Sequence, residues 1–177
     1  KLSPEQFGLI GSSFFFLFAI SAVVVGFITN RVQTRWTLLV MAIVWSVAQF
    51  PMLGTVSLEV LIACRIVLGA GEGPAGPTAT HAIYKWFPDS LRGMPTAIIA
   101  QGSALGVIVA VPALNYIIVH YSWHWAFGAL GIVGLLWAVA WLFLGREGTL
   151  VDPPVSDNAQ GGLEHVPYRY LLTCPSI

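Results

Sequence analysis

VLIACRIVLGAGEGPAGPTATHAIY, residues 60–84, carries two charged side chains, Arg65 and Glu72, in a run that is otherwise uncharged. Seven residues make almost two helical turns, so both groups leave one face of a helix, about 10 Å apart along its axis. A charge inside a bilayer costs at least ~2.5 kcal/mol on insertion scales and is kept where it meets protein or water. Gly69 and Gly76 are expected on the same stripe. This pattern reads as the wall of a polar cavity within a membrane.

Composition supports a membrane setting. Of 177 residues, 56% are hydrophobic and 9% charged, whereas a soluble domain has about a quarter charged. Windows of about 20 apolar residues are long enough to cross ~30 Å of hydrocarbon. Five are expected, at 7–29, 37–56, 58–84, 94–119 and 125–144. The fold class that follows is all-α, a polytopic membrane helical bundle. The first window is not a signal peptide: its flank KLSPEQ carries an acid, its apolar core is too long and no small-x-small cleavage site follows. Cys64 and Cys174 form no evident disulfide framework, and a net charge of zero points to no nucleic-acid partner. No cofactor motif stands out.

Orientation comes from the basic residues. The linkers 30–36 and 85–93 and the segment from Arg146 hold Arg31, Arg35, Lys85, Arg92 and Arg146, and the alternate linkers hold no Lys or Arg. The positive-inside rule puts the first set in the cytoplasm. Residues 1–6 then lie outside, which leads us to expect a preceding span. Residues 146–165 (REGTLVDPPVSDNAQGGLEH) read as a cytoplasmic linker, and 166–177 turn apolar again as a lead-in to a further span. Long central linkers join the repeats of many transporters.

Glycines indicate how the helices pack. Gly102 and Gly106 form a G-x-x-x-G, and Gly128, Gly131 and Gly134 lie along the last span. Both patterns fit close helix approach in lipid. In the third span Gly69, Gly71, Gly73 and Gly76 occur with Pro74 and Pro77 beside two charges. There a distorted helix lining a site is the better reading.

The segment RIVLGAGEGPAGPTATHAIYKWFPDSLRG (65–93) resembles the fourth transmembrane helix and following loop of major facilitator superfamily transporters. The R-x-x-x-G-x-x-E-G spacing is similar to that of the anion:cation symporter branch, which includes sugar-acid and phthalate-type carboxylate transporters, sialin and the vesicular glutamate transporters. LSPEQFGLIGSSFFF and SWHWAFGALGIVGLLW resemble the entries to helices 2 and 6. The resemblance implies helices 2 to 6 of twelve, in the N-terminal half of the fold. It also implies secondary transport of a small organic anion, coupled to protons or another cation, across the plasma (cell inner) membrane. Arg65 would bind the substrate carboxylate, which suits a planar fork of donors. Glu72 would carry the coupled proton, because a desolvated carboxyl can hold a proton on one side and release it on the other.

The chain departs from the branch at several points. The helix 2–3 loop usually reads G-x-x-x-D-R-x-G-x-R; here GFITNRVQTR keeps Gly26, Arg31 and Arg35 but has Asn30 for the acid and Gln33 for the glycine. Together with Arg92, residues Asn30, Arg31 and Arg35 are the expected gating-loop set, with its charged latch reduced to a neutral hydrogen bond. Leu91 stands where the branch often has Glu, and Phe18 where it often has a substrate-facing tyrosine. Phe18 offers no hydrogen bond, which favours a less hydroxylated substrate.

Gln101, Ser103 and Gln49 are weaker candidates for the cavity wall, or else hydrogen-bond glue between helices. His81 and Asn115 fall near span ends. His120 and His124 lack a third ligand, which argues against a metal site. Trp36, Trp86, Trp123 and Trp125 fit an aromatic belt. A membrane enzyme would need a nucleophile–base pair or a metal cluster, and the sequence has no such constellation. The alternative to a carrier is a structural or channel-like membrane subunit without transport coupling.

Overall fold

The structure is a computed structural model that describes residues 3–29 and 31–150. Asn30, Cys174 and the expected stretches 151–165 and 166–177 therefore lie outside the described residues. Six α-helices follow in order: α1 (Pro4–Thr29), α2 (Thr34–Val47), α3 (Leu58–Glu72), α4 (Ala75–Tyr84), α5 (Gly93–His120) and α6 (Trp123–Leu144). Short 3₁₀ turns at Phe50–Leu53 and Asp89–Leu91 extend α2 and lead into α5. No strand occurs among the described residues.

Local chemistry sets the helix ends. At the start of α1, Ser3 Oγ accepts from the Gln6 N–H at 3.2 Å and Gln6 Oε1 accepts from the Ser3 N–H at 2.9 Å. This reciprocal pair satisfies two N–H groups that have no partner within the helix. The Ser57 hydroxyl accepts from Val60 N at the start of α3. Pro51 has no N–H to continue α2, so the chain tightens into the 3₁₀ turn.

Four helices are long and apolar enough to cross a membrane: Pro4–Thr29, Thr34–Leu53 with the 3₁₀ turn included, Gly93–His120 and Trp123–Leu144. The expected span 58–84 is instead two helices, α3 of 15 residues and α4 of 10. Pro74 has no N–H to give the Ala70 carbonyl, and Pro77 has none to give Gly73. The junction stays right-handed, with Gly73 at φ −51°, ψ −47° and Pro74 at φ −80°, ψ −3°. One helical path thus continues through a local break in its hydrogen-bond ladder, which is the distortion expected from the sequence.

Packing runs α1 on α3, α2 on α3, α4 and α6, and α5 on α6. Leu39, Ala42 and Ala138 form a small core between α2 and α6, with Trp45 and Trp141 against it. The α6 glycines serve this contact: Gly128 meets Leu53, Gly131 meets Phe50 and the Ser46 carbonyl, and Gly134 meets the Ser46 hydroxyl. Elsewhere large apolar side chains such as Phe15, Phe16, Val109 and Phe143 are exposed, as suits surfaces that meet hydrocarbon.

Candidate functional site

Three faces of α3 do different work. Gly71 packs against Val44 and Trp45 of α2. A Cβ at Gly69 would collide with the Phe14 carbonyl oxygen, and one at Gly73 with that of Phe18, so both glycines let the α1 backbone come close. The third face, Arg65, Leu68 and Glu72, opens into a cavity of about 950 Å³. Gly69 is therefore a packing residue and not part of the cavity wall: it sits one stripe round from Arg65 and Glu72. Gly76 meets nothing within 4 Å.

Trp45 and Gln49 of α2, Ala75 of α4, and Ile99 and Gly102 of α5 complete the cavity with a stripe of α6. That stripe is Phe127, Leu130, Val133, Gly134 and Trp137. The Arg65 guanidinium carbon lies 5.8 Å from the Phe127 ring centroid, a cation–π distance. Among the described residues no protein group within ion-pair or hydrogen-bond reach engages Arg65 or Glu72. The helix holds their backbones while both head groups stay available to a ligand.

The other sequence candidates are divided between this cavity and the packing around it. Gln49 lines the cavity. Gln101 and Ser103 are exposed on α5 outside its lining, and Ser103 Oγ donates to the Ala100 carbonyl at 3.2 Å. Phe18 lies at the α1–α3 contact, clustered with Phe14 and Phe15, and is not among the lining residues. Gly102, expected to pack against a neighbouring helix, lines the cavity as well. No group of three or more metal-ligating side chains occurs among the described residues.

Two of the gating-loop candidates, Arg31 and Arg35, lie beside an acid that sequence reasoning missed, Glu147. Its carboxylate accepts from the Thr34 N–H at 3.1 Å, the Thr34 hydroxyl at 2.8 Å and the Arg35 N–H at 2.9 Å. Lys85 Nζ donates to it at 2.5 Å. The first two amides of α2 have no partner within the helix, and Gln33 at the N-cap makes no side-chain cap bond, so Glu147 serves as the cap. Burial works to raise the Glu147 pKa, but the hydrogen bonds from Lys85, Arg35 and Thr34 outweigh it and hold the group at about 2.

Arg35 extends this network. Its Nη2 donates to the Leu142 carbonyl at 2.7 Å, its carbonyl accepts from Trp141 Nε1 at 3.0 Å, and its guanidinium lies 4.9 Å from the Trp36 ring centroid. Arg31 is exposed and lines the same surface hollow as Lys85 and Glu147. Arg92 stands apart, pairing with Asp89 and donating to the Phe87 and Tyr84 carbonyls at 2.9 and 3.2 Å, which closes the end of α4. The one sequence signal for Glu147 was that it is the first acid after α6, in a segment adjoining three basic stretches.

Comparison with known proteins agrees with this architecture. The family model for the Major Facilitator Superfamily matches residues 1–173. The hexuronate transporter of Bacillus subtilis is 31% identical over 174 residues, covering 97% of this chain and 41% of that protein. A probable sulfoacetate transporter of Cupriavidus necator is 32% identical over 146 residues, covering 82% of this chain and 34% of that protein. Vesicular glutamate transporter 3 of Danio rerio is 27% identical over 164 residues, covering 91% of this chain and 28% of that protein. The chain thus spans about two fifths or less of the length of these relatives. With its apolar helices and a family match along nearly its whole length, the chain belongs to the major facilitator superfamily, as part of a multi-pass membrane protein.

Proposed function

We propose that this chain forms part of a secondary carrier for a small organic anion, driven by proton symport with alternating access. The carrying observation is that Arg65 and Glu72 open into one cavity with no ion-pair or hydrogen-bond partner among the described residues. Arg65 binds the carboxylate through paired N–H donors. Glu72 takes up and releases the proton, so a monovalent anion and its proton load together without changing the net charge of the cavity. The relatives' names, hexuronate and sulfoacetate transporters, support an organic anion. Helices α3 and α4 act together as one span, giving five. The loops with Arg31, Lys85 and Arg92 face the cytoplasm of a plasma (cell inner) membrane, and residues 146–165 continue as a linker.

Two substitutions in the full-length protein, reconstituted in proteoliposomes, test this reading. Arg65→Lys keeps the charge but loses the bidentate fork, and anion uptake falls at least tenfold. Glu72→Gln keeps shape and hydrogen bonding but stays neutral. It retains substrate counterflow and loses accumulation driven by an inward proton gradient. Retention of gradient-driven accumulation in Glu72→Gln, or unchanged uptake in Arg65→Lys, rules the assigned role out.

A further inference from the structure

Among the described residues the cavity wall is charged at two points, carries one amide at Gln49 and is mostly apolar elsewhere. Phe127, Leu130, Gly134 and Trp137 recur along α6 at the spacing of a single helical stripe, so one continuous side of the cavity has no hydrogen-bonding side chain apart from the Trp137 indole N–H. Leu130 and Trp137 keep 38% and 41% of their surface exposed, so the stripe is open to an occupant. Trp137 is held by stacking on Trp141, with ring centroids 5.1 Å apart and planes 10° apart. Arg65 sits at one end of this stripe, 5.8 Å from the Phe127 ring centroid. Gln49 is the one uncharged amide or hydroxyl side chain among the lining residues.

We infer that the cavity seats a carboxylate with a flat, largely unhydroxylated body, its anion at Arg65 and its body along Phe127, Leu130 and Trp137. The inference rests on the carrier reading above and narrows its substrate class. A substrate bound at Arg65 must lay the rest of its structure on the neighbouring α6 stripe. An aromatic or other apolar body buries surface there and gains ring contacts. A sugar acid brings several hydroxyls to the same wall, and an apolar pocket discriminates against a single added hydroxyl by about 10²-fold. Gln49 can answer one or two such groups and not a whole polyol.

Two monovalent carboxylate probes decide the point, benzoate and gluconate, with the full-length protein. Binding is read from quenching of tryptophan fluorescence at neutral pH, where both are anions, and transport from counterflow in proteoliposomes corrected with protein-free vesicles. The expected result is benzoate bound and exchanged with at least a hundredfold preference over gluconate. Trp137→Ala should lower that ratio about tenfold. Leu130→Gln, which keeps the Trp137–Trp141 stack, should lower it as well. Gluconate bound as well as or better than benzoate overturns the inference and leaves the carrier reading standing. Binding of neither probe, with no counterflow, overturns both. A wild-type preference for benzoate that neither variant changes overturns the assignment to the α6 stripe.

Discussion

Removing the Glu147 carboxylate is the sharpest perturbation of the end of the bundle where α2 starts and α4 and α6 finish. Its pKa is held at about 2 against an ordinary value of 4.5, a shift worth roughly 3 kcal/mol at 1.36 kcal/mol per pH unit. The side chain is 20% exposed, so solvent screening trims this to about 2–3 kcal/mol. Because the folded pKa is depressed, the stabilisation is complete above about pH 4.5 and is lost as pH falls through about 2. Glu147→Gln keeps one acceptor but loses the charge, leaving the α2 N-terminus and Lys85 without their anion. The assay is hydrogen–deuterium exchange of detergent-solubilised protein, followed in peptides covering residues 33–40 and corrected for intrinsic rates. Protection there should fall about ten- to a hundredfold in Glu147→Gln at pH 7, and in the wild type it should hold from pH 7 down to about 5. Unchanged protection in the variant would refute the capping role. A wild-type loss of protection between pH 7 and 5 would refute the depressed pKa.

Gly69→Leu should force α1 away from α3, since even a Cβ meets the Phe14 carbonyl oxygen; a cost of about 3 kcal/mol or more, measured by thermal unfolding, is expected. A variant as stable as the wild type would contradict the close approach. Trp141→Phe removes the N–H that bonds the Arg35 carbonyl at 3.0 Å and should cost about 1 kcal/mol in the same measurement. Arg92→Ala frees the Tyr84 and Phe87 carbonyls; faster exchange confined to residues 84–92 is expected, and no change there would deny Arg92 its bracing role.

Which features could be read from the chain follows from how far apart the interacting residues lie. Arg65 and Glu72 were legible because the cost of a charge in lipid and a 3.6-residue period together fix a shared face. The break after Gly73 was legible because two prolines lack the donors a helix needs. Gly69 was assigned to the wrong stripe because a helical wheel puts it only ~40° from Arg65. Only the position of α1 shows that the boundary between packing face and cavity runs through that gap. Glu147 bonds Thr34 across 113 positions of sequence, and no local pattern encodes such a pairing. Reading the 26–35 loop by itself therefore found the latch acid replaced by Asn30, while an acid from the far end of the bundle already caps α2. Trp45, Phe127 and Trp137 escaped notice as cavity residues because aromatic residues on apolar helices look alike whether they face lipid, core or ligand.

The placement of the charges on α3 bears on how the site can move. Gly69 and Gly73 fix that helix to α1, and Gly71 fixes it to α2. A rotation of α3 that carried Arg65 out of the cavity would have to break contacts with both neighbours. Turning this helix in place is therefore the costly route. Two cheaper motions remain. The bundle can tilt as one body, with one end tied together by Glu147 across Thr34, Arg35 and Lys85. Alternatively, the path can flex at Gly73–Pro74, where the carbonyls of Ala70 and Gly73 lack their i+4 donors. Glu72 is the last residue of α3, held between Gly71 and Gly73 directly before that break, and Arg65 lies two turns earlier. Flexing there would change the surroundings of the carboxyl while leaving the guanidinium in place. In the carrier proposed above, proton exchange at Glu72 and anion binding at Arg65 would then respond differently to one motion, as coupled transport requires.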